Sequence, residues 1–155
     1  KGRFSVRRVN KKDKTLVGFR EQDPRFVADL GQCHTVIPQI GMKIQALAAL
    51  VDGLQAREQI PQIEFIAGDD AIALTVRHLA PLDEADRAAL AAFGREHGFS
   101  IFLQPKGPDS VHPLDGQAPA LSFRLPQWEV ELAFEPLDFI QVNAGLNQKM
   151  IARAL

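Results

Sequence analysis

Three pairs of short apolar segments, each pair joined by a polar turn, constrain the fold of this chain more than any other feature. Their spacing is typical of β-hairpins, which are predicted at residues 4–19, 63–76 and 121–134. Apolar residues at helical spacing predict helices at about 38–56 and 83–97, and residues 99–103 are expected to form a further strand. Because hairpins place neighbouring strands antiparallel, the sequence predicts an α+β domain with a mainly antiparallel sheet and helices packed on one face.

The last hairpin and the segment before it carry two more specific expectations. Residues 104–119 are rich in proline and glycine and are predicted to form a loop. In residues 128–134, large apolar side chains alternate with Glu129 and Glu131. This period of two predicts a strand with one buried face and one face in contact with water.

The composition indicates one globular domain. Of the 155 residues, 46% are hydrophobic and 24% are charged, proportions typical of a globular protein. The apolar runs fall short of the roughly 20 residues that cross a bilayer, and the first residues lack the apolar core of a signal peptide. One cysteine cannot form an internal disulfide. We therefore expect a cytoplasmic protein that has no membrane partner.

The charge is unevenly distributed along the chain. Residues 1–25 carry nine Lys or Arg against three acids, a net charge of +6 in a chain whose total is −1. Such a basic segment attracts phosphate groups by releasing counterions, which favours contact with RNA or DNA. The alternative is an ordinary hairpin with a solvated charged face. From the residues alone, a stand-alone RNA-binding module and a plain interaction domain without catalytic descent both stay open.

Cys33 is the one thiol of the chain, and three roles are open to it. A free cysteine is most often a small buried apolar residue. It could instead be a nucleophile, although no neighbouring motif supports this role, or one ligand of a cluster completed by cysteines elsewhere. Residue chemistry alone favours the first role. The chain carries no glycine-rich nucleotide loop, no zinc-protease motif and no serine-hydrolase motif.

The segment from Asp138 to Asn143 is the best candidate for a binding loop. Gln141 and Asn143 can each donate and accept hydrogen bonds, and both precede a predicted helix whose first N–H groups favour a polar ligand. Asn143 can also simply cap that helix, and Phe139 could stack on a base or pack in the core. No Gly, Asn or Pro ends the helix before Leu155, from which we expect that the chain is one part of a larger protein.

The same loop carries a family resemblance. The run Phe134-x-Pro-x-Asp-Phe-Ile-Gln-Val-Asn-Ala-Gly-x-Asn-Gln-Lys-Met resembles the conserved region of the bacterial RNA uracil-5-methyltransferases. It is most similar to the iron–sulfur-containing branch that acts on 23S rRNA. Shorter matches in the same order are Leu16-Val-Gly-Phe-Arg20, Ile63-Glu-Phe-Ile66 and Arg77-His-Leu-Ala-Pro-Leu82. Together they extend the resemblance over essentially the whole chain.

The resemblance implies a three-part enzyme that uses S-adenosylmethionine to methylate C5 of a uracil in 23S rRNA. Residues 1–142 would be its central domain, and residues 143–155 the start of the helix that leads into the methyltransferase domain. An N-terminal RNA-binding barrel and the C-terminal S-adenosylmethionine-binding domain would be its partners in the same chain. The nucleophilic cysteine would lie beyond Leu155, so we expect no catalytic residue in this chain and no activity from it alone.

The resemblance also assigns individual residues. Gln141 would bind S-adenosylmethionine, and Phe139 and Asn143 would lie beside the RNA substrate. Cys33 would be the fourth ligand of a [4Fe–4S] cluster, which reverses the role favoured by residue chemistry alone. Because one thiolate cannot hold a four-cysteine cluster, we expect neither the cluster nor S-adenosylmethionine to be bound by this chain in isolation.

Overall fold

A six-stranded β-sheet lies at the centre of the fold in the computed structural model, which describes residues 1–154. Its strands are β1 (Gly2–Val9), β2 (Lys14–Gly18), β3 (Gln62–Ala67), β4 (Ile72–Arg77), β5 (Phe99–Gln104) and β6 (His112–Pro113). They are arranged in the order β2-β1-β3-β4-β5-β6. The pair β4–β5 is parallel and the other neighbours are antiparallel. The predicted α+β class and the first two hairpins are confirmed.

Helices cover one face of this sheet, which we call the inner face. They are α1 (Pro38–Gly41), α2 (Ile44–Gly53) and α3 (Glu84–His97). Alternate residues of the strands, such as Phe4 and Ile63, meet Ile44 and Leu47 of α2 and Leu90 of α3 in one buried cluster. Each of these side chains is at most 1% exposed. Burial of one large apolar side chain contributes about 1.5–3 kcal/mol, so this layer stabilises the packing of the helices on the sheet.

The single helix predicted at 38–56 is wrong, because the structure divides it after Gly41. In a continuous helix the carbonyl oxygen of Gly41 would accept from the N–H of Gln45. Here it accepts from the N–H of Cys33 at 3.0 Å, and Lys43 closes a tighter turn onto Ile40 at 2.9 Å. A Cβ atom at position 41 would lie 2.0 Å from the carbonyl oxygen of Cys33, so only glycine fits at this crossing.

Helix α3 has the ends that its sequence predicts. Asp83 caps it by accepting from the N–H of Asp86 at 2.7 Å, and Gly98 ends it in the left-handed conformation at φ 71°. Asp86 is itself 2% exposed. Its two carboxylate oxygens accept from the N–H groups of Gln55 at 2.7 Å and Ala56 at 2.9 Å. The carboxylate therefore joins the start of α3 to the chain that follows α2.

The third hairpin forms a separate two-stranded sheet from β7 (Leu121–Leu125) and β8 (Val130–Phe134). It packs on the other face of the main sheet, the outer face, where Leu121 joins a small buried cluster with Ile66 and Phe102. The buried face predicted for β8 is wrong. Val130 and Leu132 are 40% and 43% exposed, because the contact with the main sheet reaches β7 but not the middle of β8.

Two further expectations concern loops and helix ends. The segment 104–119 is mostly loop, as predicted, but it contributes β6 to the sheet edge. The last helix is α4 (Ala144–Ala154), which begins where the sequence predicts. Across residues 1–154, every helix is too short or too polar to span a bilayer. The division of the chain at residue 142 stays a prediction.

Candidate functional site

The loop between β8 and α4, residues 135–143, is held in place at its start by a closed turn. Asp138 donates its N–H to the carbonyl oxygen of Glu135 at 3.0 Å, and its carboxylate accepts from the N–H of Glu135 at 2.8 Å. Pro136 within this turn is buried. The turn therefore fixes the direction in which the chain enters the segment that carries Phe139 and Gln141.

A lysine from the other end of the chain fixes the same loop. The ammonium group of Lys1 donates to the main-chain carbonyl oxygens of Leu137 and Asp138, the latter at 3.0 Å. Lys1 immediately precedes β1, so the loop is attached to the main sheet. Sequence reasoning missed this contact, since no local pattern connects residues 136 positions apart.

Ile140 anchors the middle of the loop, and its neighbours point away. Its side chain packs against the buried cluster of Ile66, Ala73, Phe102 and Leu121 on the outer face. Phe139 is 82% exposed, so it does not pack in the core of this chain. Its place beside an RNA substrate stays a prediction.

Asn143 caps α4, as the residues predict. Its side-chain oxygen accepts from the N–H of Leu146 at 2.9 Å, and its carbonyl oxygen accepts from the N–H of Asn147 at 2.9 Å. Its side-chain nitrogen makes no hydrogen bond within residues 1–154. The cap and a contact with a ligand are therefore compatible, since they use different atoms of the same amide.

A cavity of about 630 Å³ lies beside this loop and is lined in part by Gln141. Lys1, Ile37, Phe123 and Arg124 also line it. The lining combines aromatic and aliphatic surface with a few polar groups, which is the usual composition of a small-molecule site. Phe139 and Asn143 are not among the lining residues. Of the three predicted loop residues, the structure therefore brings Gln141 to the cavity and leaves Phe139 and Asn143 outside it.

Arg124 at the mouth of the cavity is held by acids at the tip of the β3–β4 hairpin. Its N–H donates to the carboxylate of Asp69 at 2.8 Å, and its guanidinium group pairs with Asp70. The hydrogen bond to Asp70 is the main cause of the raised pKa of Arg124. Because its charge is already paired, Arg124 acts as a wall of the cavity and is a weak candidate for binding an anion.

Cys33 lies elsewhere, in the loop before α1. It is half-buried, its N–H is fixed by Gly41, and its Sγ atom lies 3.1 Å from the hydroxyl oxygen of Thr35. This hydrogen bond is the largest cause of the lowered pKa of the thiol, which burial opposes. A partly exposed thiol with a lowered pKa has the chemistry of a metal ligand or a reactive cysteine, and less that of an inert core residue.

The described part of the chain shows no group of three metal ligands around this thiol. Among residues 1–154, no three His, Cys, Asp or Glu side chains lie together in a way that could hold a metal ion. The assignment of Cys33 to an iron–sulfur cluster stays a prediction.

Comparison with known proteins identifies what the chain is similar to. No model of a known protein family matches the chain. Over all 155 residues, however, it is 74% identical to the 23S rRNA (uracil(1939)-C(5))-methyltransferase RlmD of Xanthomonas euvesicatoria. The resemblance to the RNA uracil-5-methyltransferases is confirmed. The same methyltransferase of Xanthomonas axonopodis is 73% identical to the chain, and that of Stenotrophomonas maltophilia strain K279a is 72% identical.

The chain spans 35% of the length of each of these three methyltransferases. The match leaves no part of the chain uncovered, so the loop at residues 135–143, the cavity and Cys33 all lie inside the segment shared with the methyltransferases.

Proposed function

We propose that this chain is the central part of an S-adenosylmethionine-dependent methyltransferase that methylates C5 of a uracil in 23S rRNA. The observation that carries the proposal is the 74% identity over all 155 residues to a protein named for that activity. Its proposed partners are 23S rRNA and, in the same polypeptide, an N-terminal RNA-binding barrel and a C-terminal methyltransferase domain. Its proposed location is the cytoplasm.

Gln141 is the residue that we propose to bind S-adenosylmethionine, which supplies the methyl group. Its side chain is exposed and lines the 630 Å³ cavity, while Lys1 and Ile140 hold the chain just before it. A primary amide can donate to and accept from a polar ligand at once. Because the loop is already fixed before the ligand arrives, little entropy is lost in placing this amide.

Phe139 and Asn143 are proposed to meet the RNA. An enzyme that acts on C5 of uracil needs the base out of its stack, and an aromatic side chain can receive an unstacked base. Phe139 is 82% exposed and precedes the anchored Ile140. The side-chain nitrogen of Asn143 can donate to the RNA while its oxygen continues to cap α4.

The reaction itself is proposed to require residues outside this chain. Uracil C5 is a poor nucleophile, and addition of a thiolate at C6 is a general way to activate it. Cys33 is proposed as a ligand of a [4Fe–4S] cluster, not as this nucleophile. The 155 residues alone are therefore proposed to be inactive and to contribute RNA placement and part of the cofactor pocket.

The test uses the full-length protein that contains this chain. It is incubated with labelled S-adenosylmethionine and 23S rRNA from cells that lack the modification, and the nucleosides are then separated. Labelled 5-methyluridine is expected. Methylation of another base, or of a protein instead of RNA, would overturn the proposal. Omission of the rRNA provides the control.

A further inference from the structure

Cations on the outer face of the sheet fall into two groups. Several are neutralised by acids: Arg3 pairs with Glu64 at 3.0 Å and Lys14 with Asp29 at 2.7 Å. Arg25 pairs with Asp23 at 2.7 Å. Glu64 and Asp29, which lie outside residues 1–25, therefore pair part of the excess positive charge of this segment. The rest is carried by cations that have no acidic partner within residues 1–154.

Three arginines without an acidic partner within residues 1–154 share one end of this face. Arg7 lies on β1 and Arg77 on β4, and Arg20 follows β2. The register places Ser5 opposite Gln62 and Gln62 opposite Arg77, so Ser5, Gln62 and Arg77 form one row across the sheet, and Arg7 lies two residues beyond that row on β1. The guanidinium group of Arg20 donates to the hydroxyl oxygen of Ser5 at 3.2 Å, which places it at the end of this row.

The register and the strand spacing fix where the three arginines lie relative to one another. Neighbouring strands are about 4.8 Å apart, so the Cα atoms of Ser5 and Arg77 are separated by about 10 Å. Arg7 is two residues from Ser5 on the same face, about 7 Å along the strand. Glu64, two residues from Gln62 on the same face of β3, is occupied by Arg3 at 3.0 Å and by the side-chain amide of Gln62 at 2.8 Å. Glu21 follows Arg20 in the chain. One carboxylate cannot neutralise three guanidinium groups, so a net positive charge is left on this part of the face.

This end of the outer face is open, unlike the end covered by the third hairpin. Arg7 and Arg20 are exposed and Arg77 is half-buried. Arg7 contacts the carbonyl oxygen of Arg25, and the following residue, Phe26, is an aromatic side chain that is 52% exposed. Clustered guanidinium groups beside an exposed aromatic ring are the combination by which proteins bind the backbone and bases of single-stranded RNA.

We infer that Arg7, Arg20 and Arg77 form a phosphate-binding patch for RNA on the outer face of the sheet, with Phe26 as a stacking side chain at its edge. The occupant is the RNA backbone, because a guanidinium group matches the geometry of a phosphate and the patch presents three of them together. The inference rests on the proposed function, since it identifies the face by which this segment meets the rRNA.

The patch is tested in the full-length protein with a labelled 23S rRNA fragment, by measuring the dissociation constant at several salt concentrations. Arg7→Gln, Arg20→Gln and Arg77→Gln are each expected to weaken binding about 5-fold and to lower the slope of log affinity against log salt by about 1. Phe26→Leu is expected to weaken binding without a change of slope, because it removes stacking and no charge.

Arg95→Gln is the matched control. Arg95 is an exposed arginine on α3, in the helical layer on the opposite side of the sheet. The substitution Arg95→Gln changes the net charge by the same amount as the patch variants, and it is expected to leave both the affinity and the salt slope unchanged. An unchanged slope in all three patch variants, or an equal loss in Arg95→Gln, would overturn the patch. If the unaltered protein forms 5-methyluridine in that case, the proposed function stands without it; if it forms none, the proposed function itself fails.

Discussion

Lys1 holds Leu137 across 136 positions of sequence, through an ammonium group that donates to a main-chain carbonyl oxygen. The contact attaches the loop of Phe139 and Gln141 to the start of β1. It depends on the charge and the length of one side chain, because the acceptor is main chain and is present whatever residue stands at position 137. The position of the candidate binding loop is therefore sensitive to a residue that is remote in sequence.

Replacement of Lys1 by Met is expected to loosen this loop. The substitution keeps most of the aliphatic stem and removes the donor, so amide hydrogen exchange at residues 137–141 should become faster, while exchange in β3 and β4 stays unchanged. Lys1→Arg should retain most of the protection. Lys11→Met is the control, since Lys11 is exposed and forms no hydrogen bond within the described residues. Equal protection in the Met and Arg variants would count against the contact.

Replacement of Gln141 by Ala in the full-length protein is expected to weaken S-adenosylmethionine binding. Loss of one hydrogen-bonding side chain costs about 0.5–1.5 kcal/mol, which corresponds to a dissociation constant about 2- to 12-fold higher. Titration calorimetry gives this constant directly. Gln127→Ala, an exposed glutamine in the turn of the third hairpin, should leave it unchanged. The same affinity in Gln141→Ala and the unaltered protein would remove Gln141 from the site.

Replacement of Asp86 by Ala is expected to lower the free energy of unfolding by about 3 kcal/mol. The buried carboxylate is the acceptor for the N–H groups of Gln55 and Ala56, and its removal leaves both without a partner. Urea unfolding measures the change. Asp115→Ala, at an exposed position, should change stability by less than about 0.5 kcal/mol. A similar small change in Asp86→Ala would show that water replaces the lost acceptor.

The thiol of Cys33 is expected to react with iodoacetamide at a lower pH than an ordinary cysteine. The hydrogen bond with Thr35 is the largest cause of its lowered pKa. Since the thiolate is the reactive form, a lowered pKa moves the rise of the alkylation rate to lower pH. Thr35→Ala should move that rise back toward higher pH, and Thr35→Ser should largely restore it. Identical profiles for the three proteins would exclude Thr35 as the cause.

Replacement of Cys33 by Ser in the full-length protein tests the cluster assignment. If Cys33 is a ligand, the visible absorbance of an iron–sulfur cluster should be lost or greatly reduced, because serine is a poor substitute for a thiolate ligand. Thr35→Ala should keep the absorbance, since Thr35 is not a ligand in this assignment. An intact spectrum in Cys33→Ser would show that the cluster, if present, is held by other residues.

Local patterns were sufficient to predict the hairpins, the caps of α3 and the cap of α4. Asp83, Gly98 and Asn143 act within a few residues of their own position, so their roles follow from neighbouring sequence. The division between α1 and α2 could not be predicted in this way. It depends on the hydrogen bond from Cys33 to Gly41, which forms only when a distant loop lies against the helix.

The candidate site shows the same contrast. The polar loop, with Phe139 and Gln141, is visible in the sequence because its residues are adjacent. The contact of Lys1 with this loop cannot be read from the sequence. The approach of Arg20 and Arg77 to one face cannot be read from it either, because both depend on how the strands pair. Exposure of Val130 and Leu132 was also unpredictable from alternation, which indicates which side chains share a face but not whether anything covers that face.

Strand β1 connects the loop of Gln141 with the proposed RNA patch. Lys1 at its start holds the loop of Gln141, and Arg7 near its end belongs to the proposed RNA patch. A slip of one residue in its pairing would turn Arg7 toward the helices and Phe4 toward solvent, and would shift the anchor of the loop at the same time. The burial of Phe4, which is 0% exposed, thus fixes one alignment for the cofactor loop and the RNA face together. A core mutation that changes this alignment would therefore shift the cofactor loop and the RNA face together, although the mutated residue contacts neither.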